Sequence, residues 1–211
     1  MKNLLIVGTG GFAREVYWHA QNSFGYDSEF RIKGFLEGNV PLHPDMYSLL
    51  PLPVLNNIIN YNPLRDDVYV IAIANSEVKE KISEIILDKG GSFFNLIHKT
   101  AMVSSKAVLG EDVILCPYVM VSCNTVVGSH VMFNAYSDLG HDAVVGNFTS
   151  IMCHVDITGN VKVGSHTFWG SGARALPGSK IGDHATVGAG SVVLRKVKAN
   201  TTVFGNPAME I

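Results

Sequence analysis

Among the eight histidines of this 211-residue chain, His141 stands out by its neighbours, Gly140 before it and Asp142 after it. Neutral imidazole takes up a proton near neutral pH, and an adjoining carboxylate orients the ring and favours the imidazolium that forms. A second group is Gly8-Thr9-Gly10-Gly11-Phe12-Ala13, which follows the apolar run 2–7 directly and matches G-x-G-x-x-A. A glycine turn between strand and helix aims backbone N–H groups at a phosphate, and Glu37, closing the next apolar stretch, can reach a ribose hydroxyl. The other reading of that turn is a tight bend that only packs helix on sheet. A third group is Arg195-Lys196, an adjacent basic pair suited to an anion.

The elements that hold these groups are set by a repeat. From Val103 to Val193 an apolar residue recurs at every sixth position, sixteen times without a break, and a small or β-branched residue follows each four positions later. Neither a helical nor a simple strand period gives this register. The next residue after the large one is glycine at Gly110, Gly128, Gly140, Gly146, Gly164, Gly170, Gly182 and Gly188, and asparagine at Asn134. These residues accept a positive φ cheaply, so each hexad reads as a short strand and a corner, with the left-handed residue expected at the glycine. Three hexads close a triangular turn, residues 18 apart stack at about 4.8 Å, and the repeat makes about five coils of parallel β-helix.

Over residues 103–197 the chain resembles the hexapeptide-repeat acyltransferases, and that resemblance, not the period, implies a left-handed β-helix. The repeat also sorts the histidines. His130, His166 and His184 share one hexad position and differ by multiples of 18, so they build one edge; His154 builds another, and both sets read as structural. His141 alone follows a corner glycine directly. Acyl transfer from a thioester to an amine or hydroxyl needs such a base. Gly159, one coil later, stacks on His141, and its N–H can donate to the thioester oxygen as that oxygen turns negative. Further steps of 18 reach Pro177 and Arg195, about 14 Å from His141 at strand spacing and comparable to a pantetheine arm. Arg195 or Lys196 then meets a coenzyme phosphate; the competing reading is a solvated charge pair. Cys116, Cys123 and Cys153, odd in number and inside the hexads, are expected as buried thiols rather than a disulfide framework.

Residues 1–98 read as a Rossmann-like β-α-β domain with a parallel sheet. Strands are expected at 2–7, 31–36, 68–74 and 93–97, with helices at 14–21 and 76–89. Val78, Ile82, Ile85 and Ile86 face inward on the second helix and Gly90 stops it. The stretch 41–53 is proline-rich, with a short helix near 46–50, and His98 belongs to the junction with residues 99–211. The domain has half the length of a full dinucleotide-binding fold, which excludes a complete NAD-dependent dehydrogenase. A net charge of −2 gives no footprint for nucleic acid or an anionic membrane, and 47% hydrophobic content is ample for a core. With no apolar run of the ~18 residues that span a bilayer and no signal pattern, the protein is expected in the cytoplasm without membrane insertion.

A β-α-β domain opening on a glycine turn, followed by hexapeptide coils carrying Gly140-His141-Asp142, resembles the bacterial sugar acetyltransferases. Nucleotide-sugar 4-N-acetyltransferases and sialic acid O-acetyltransferases are among them. The resemblance implies His141 as general base, Asp142 as its acidic neighbour and Gly159 as thioester-oxygen donor. It implies acetyl-CoA as co-substrate, bordered by the tail Gly205-Asn206-Pro207-Ala208. Gly8, Thr9, Gly10, Gly11, Phe12 and Glu37 would form the nucleotide-sugar site, with no metal, in a homotrimer whose active sites lie between subunits. Phe12 and Ser150 depart from the family, which commonly has histidine at both places. The expected function is acetyl-CoA-dependent acetylation of the amine of a nucleotide-linked amino sugar by direct attack. A sugar O-acetyltransferase and a non-catalytic nucleotide-binding scaffold trimer are the alternatives.

Overall fold

A computed structural model describes residues 1–38 and 44–211. The chain divides into two compact units, Met1–Lys99 and Thr100–Ile211. The first contains β1 (Lys2–Val7), α1 (Gly11–Gln21), β2 (Phe30–Glu37), β3 (Val54–Asn57), β4 (Asp67–Ile71) and α2 (Ser76–Asp88). Its sheet runs in the order β3-β2-β1-β4 with every pair parallel. Leu4, Leu5, Ile6 and Val7 are fully buried, the continuous apolar run of a central parallel strand covered on both faces. The Asn75 side chain caps α2 by accepting from Val78 N at 3.0 Å, and Gly90 follows the helix at φ +73°. Ile82 and Ile86 pack into the core with Leu36, Tyr69 and Ile71.

Four features of this unit differ from expectation. An edge strand, β3, follows the proline-rich stretch and pairs with β2; its half-exposed residues carry little hydrophobic signal. The strand expected over 93–97 shrinks to Leu96–Ile97, while Phe93 makes a single bridge to Tyr69. The strand expected to Ala74 stops at Ile71. The short helix near 46–50 is a 3-10 turn, Pro44–Leu49, and residues 41–43 lie outside the described residues.

The second unit is a parallel β-helix. Among the described residues it has eighteen short strands, from Met102–Val103 to Thr202–Phe204, and each of its three faces carries six of them in parallel register. That is two strands beyond the hexads, because Lys196–Val197 and Thr202–Phe204 continue the helix after the sequence period ends. The large inward residues from Leu115 to Val193 are all buried, Trp169 completely, with its indole N–H donating to Thr167 Oγ1 at 3.1 Å. Small inward residues such as Ser137, Thr149 and Ser179 fill the narrow corners beside them.

The corner works differently from the sequence expectation. The left-handed residue is not the corner glycine but the residue two positions later: Asp112, Tyr118, Asn124, His130, Tyr136, Asp142 and the later non-glycine residues there have φ of 53–61°, and Gly172, Gly178 and Gly190 have φ of 68–75°. The glycine answers to crowding instead. A Cβ on Gly140 would stand 2.5 Å from Gly159 N in the next coil, closer than any side chain can approach. The last corner also breaks register. Earlier partners are 18 apart, as in Lys162↔Lys180, whereas Lys180 pairs with Lys196, so the turn through Leu194 and Arg195 is two residues shorter.

Stacked rings build two of the edges. His166 and His184 lie 4.6 Å apart between ring centroids, Phe148 separates His166 from His130, and His130 Nδ1 meets Asp112 Oδ2 at 3.0 Å. His154 stacks on Tyr136 at 5.1 Å. Their rings are engaged along the helix axis, as side chains that form an edge would be.

Candidate active site

His141 sits on the third edge, between strands Asp138–Leu139 and Val144–Val145. Its Nδ1 lies 2.8 Å from Asp142 Oδ2, with the side chains of His141 and Asp142 59% and 46% exposed. Asp142 is fixed from two directions. Its N–H donates to Cys123 O at 3.0 Å, and Asn124, one coil earlier, donates Nδ2 to Asp142 Oδ1 at 3.2 Å. The hydrogen bonds from His141 and Asn124 hold the Asp142 carboxyl below the usual carboxylate range. An ionised carboxylate can only accept, so Nδ1 of His141 carries the proton and Nε2 presents a lone pair.

That lone pair projects over Gly159. A Cβ on Gly159 would stand 2.5 Å from His141 Nε2 and 2.7 Å from Cε1, so the ring occupies the space a side chain would need. The backbone here has a further property. On the neighbouring edge, N–H groups at the equivalent position are capped by the side chain one coil later: Glu111 by Ser129 Oγ at 3.1 Å, Ser129 by Asn147 Oδ1 at 2.9 Å and Ser165 by Asp183 Oδ1 at 2.8 Å. One coil after Gly159 stands Pro177, whose side chain has no acceptor, and the Gly159 N–H has no partner among the described residues. A proton acceptor and an unused hydrogen-bond donor therefore lie side by side. Such a pair can remove a proton from a nucleophile while stabilising an oxyanion.

The flanking faces differ in charge. Before the edge, Asp138 pairs with Asp156 and Asp156 with Arg174, and burial together with Asp156 pushes the Asp138 carboxyl up. After the edge, Lys162 donates Nζ to Asp142 O at 3.1 Å. The sequence reading did not single out Asn124, Asp138 or Lys162. The 18-residue period was the signal available for Asn124, since 124 and 142 differ by one coil.

Arg195 and Lys196 are both exposed. Arg195 lies in a hollow of about 300 Å³ lined with Pro177, Gly178 and Lys180, so the shortened turn still brings it to the His141 edge. Gly205 N donates to Ser191 Oγ at 3.0 Å and Ala208 N to Val192 O at 2.9 Å, which lays Gly205-Asn206-Pro207 along the top of the face that holds Asp138. Of the three thiols expected to be buried, only Cys116 is; Cys153 is half-buried, and Cys123, one coil from His141, is exposed because its corner position points outward. Among the described residues no group of three His, Cys, Asp or Glu side chains could hold a metal ion.

In the first unit, Gly8 turns the chain at φ +119° and Gly10 opens α1 without a side-chain cap. Thr9 is buried, Phe12 half-buried and Gly11 exposed. The first-turn N–H groups of α1 are thus left for an anion. Glu37 ends β2, and its Oε1 is buried without a hydrogen-bond partner among the described residues, as an acceptor awaiting a hydroxyl would be.

A parallel β-helix of hexapeptide coils with an exposed histidine–aspartate pair on one edge is the arrangement of an acyltransferase class. Residues 3–86 match the PglD N-terminal domain, and residues 160–195 match the bacterial transferase hexapeptide repeats. The solved PerB from Caulobacter crescentus, in complex with CoA and GDP-perosamine, is 27% identical over 100% of this chain and 98% of its own, with a TM-score of 0.89. WeeI from Acinetobacter baumannii is 27% identical over all of both chains, with a TM-score of 0.85. The acetyltransferase domain of PglB from Neisseria gonorrhoeae shares the fold, at 23% identity over all of both chains and a TM-score of 0.89. The chain joins a match to the PglD N-terminal domain with a match to the hexapeptide repeats, resembles the sugar acyltransferases over its whole length, and is an enzyme.

Proposed function

We propose that this enzyme transfers the acetyl group of acetyl-CoA to the amine of a nucleotide-linked amino sugar. The observation that carries the reading is His141 Nε2 standing over Gly159, with Nδ1 held by Asp142 at 2.8 Å. The amine nitrogen attacks the thioester carbon, and Nε2 takes the proton that the nitrogen sheds. The Gly159 N–H donates to the carbonyl oxygen as it becomes negative. Collapse breaks the carbon–sulfur bond, and the imidazolium returns the proton to the departing thiolate, leaving an amide and free CoA. No covalent acyl-enzyme is needed, and Cys123 has no part in the sequence.

Arg195, Lys196 and the tail Gly205-Asn206-Pro207 border the coenzyme in this reading. Gly8, Thr9, Gly10, Gly11, Phe12 and Glu37 hold the nucleotide, the unpartnered Glu37 oxygen accepting from a ribose hydroxyl. Residues 1–98 serve as the nucleotide-sugar domain and 99–211 as the acetyl-transfer domain. A base 59% exposed on one edge needs walls to exclude water, and in a homotrimer the adjoining subunit supplies them. The likeness to PerB, solved with GDP-perosamine, supports an amine acceptor over a hydroxyl. The test is to incubate the protein with acetyl-CoA and a panel of nucleotide amino sugars and their hydroxyl analogues. The reading requires N-acetylated product and equimolar free CoA with at least one amine; acetylation confined to hydroxyls, or none, would overturn it.

A further inference from the structure

The face that follows the His141 edge changes character half-way along. Its outward positions run Val108, Val126, Val144, then Lys162, Lys180 and Lys196, each paired in parallel register with the next. Strand spacing sets the three lysines about 4.8 Å apart. Like charges directly opposite one another destabilise a sheet, so this column costs stability unless something neutralises it. The protein itself does not do so. Lys162 is tethered to the Asp142 carbonyl at 3.1 Å, while Lys180 and Lys196 form no ion pair among the described residues. The nearby Asp183 carboxylate already accepts from Ser165 N, and Lys198 is paired with Glu210 at 3.2 Å. All three column lysines are exposed and border a hollow of about 530 Å³.

We infer that Lys162, Lys180 and Lys196 form a phosphate ladder for the coenzyme, with Lys180 at its centre. The inference rests on the proposed use of acetyl-CoA and extends it to two residues, Lys162 and Lys180, outside the Arg195-Lys196 pair. The column starts beside Asp142 and climbs away from the base toward the last coil, the direction in which a pantetheine arm must run if its thioester lies at Gly159. Three ammonium groups in file match a ligand that carries a diphosphate and a further phosphate beyond it.

The experiment compares the full-length wild type with Lys180→Glu and Lys180→Arg, using acetyl-CoA and S-acetylpantetheine, which has no phosphates, as donors. At low ionic strength Lys180→Glu should raise the KM for acetyl-CoA about tenfold or more, and added salt should shrink the difference. Lys180→Arg should stay near wild type, and S-acetylpantetheine should be used equally by all three. Equal loss with both donors would mean a structural role and overturn the ladder, as would a rise in KM confined to the nucleotide sugar or an unchanged KM for acetyl-CoA. If the wild type fails to bind CoA by calorimetry, the functional reading falls and the ladder with it. A wild type that binds CoA beside an unaffected Lys180→Glu sinks the ladder alone.

Discussion

Asn124 and Asp142 face each other across one coil, Nδ2 to Oδ1 at 3.2 Å, so that Asp142 keeps Oδ2 for His141. The acid that orients the base is thus itself oriented from below. Asn124→Ala should lower kcat about tenfold or less, a positioning effect smaller than loss of the base, and leave the KM for acetyl-CoA unchanged. Asn124→Asp should be worse than Ala, because it sets a second carboxylate against the first. Steady-state kinetics of both variants check this; equal kcat for all three proteins would remove Asn124 from the account.

Gly159→Ala puts a methyl group where the His141 ring now lies, 2.5 Å from Nε2. The ring is exposed and can swing away, so folding should be nearly unaffected while the base leaves its place. The expected outcome is a kcat reduced about 10²-fold, the usual worth of a positioned base, with a melting temperature within a few degrees of wild type. Full activity in this variant would show that the ring does not act from over Gly159.

Much of this edge was legible because the hexad period is strict, and the period alone separates His141 from the stacked His130, His166 and His184. What it hides is backbone detail. The glycines at Gly140 and its equivalents suggest positive φ, but coil-to-coil crowding is what demands them, and the left-handed residues are polar or aromatic side chains such as Asp142 and Tyr118. A two-residue deletion at Leu194-Arg195 likewise leaves no mark in the apolar pattern, because Val197 still falls inward. In the first unit β3 went unseen, since an edge strand with exposed Leu55 and Asn56 shows neither alternation nor an apolar run.

The first unit also contains an acid-sensitive residue. His19 is buried on α1 with Nδ1 lacking a hydrogen-bond partner among the described residues, its ring 5.9 Å from His98, and burial followed by repulsion from His98 pushes its pKa down to about 4. Burial first and Lys99 second lower His98 as well. In the unfolded chain a histidine titrates near about 6.5, so between about 6.5 and 4 the unfolded state binds more protons. The stability contributed by neutral His19 is full above that window and is lost as pH falls through it. His19→Leu should therefore flatten the decline in melting temperature between about pH 7 and pH 5, and thermal melts of both proteins at the two values measure it. Parallel declines would assign the acid sensitivity to other groups.

The proposed direct acetyl transfer depends on His141 as the base, and one comparison tests that role directly: kcat of His141→Ala against wild type, with the amino-sugar acceptor identified from the panel and both substrates saturating. Loss of a positioned base predicts a fall of about 10²-fold or more, with the KM for acetyl-CoA little changed. A variant within a few-fold of wild type would contradict the assignment.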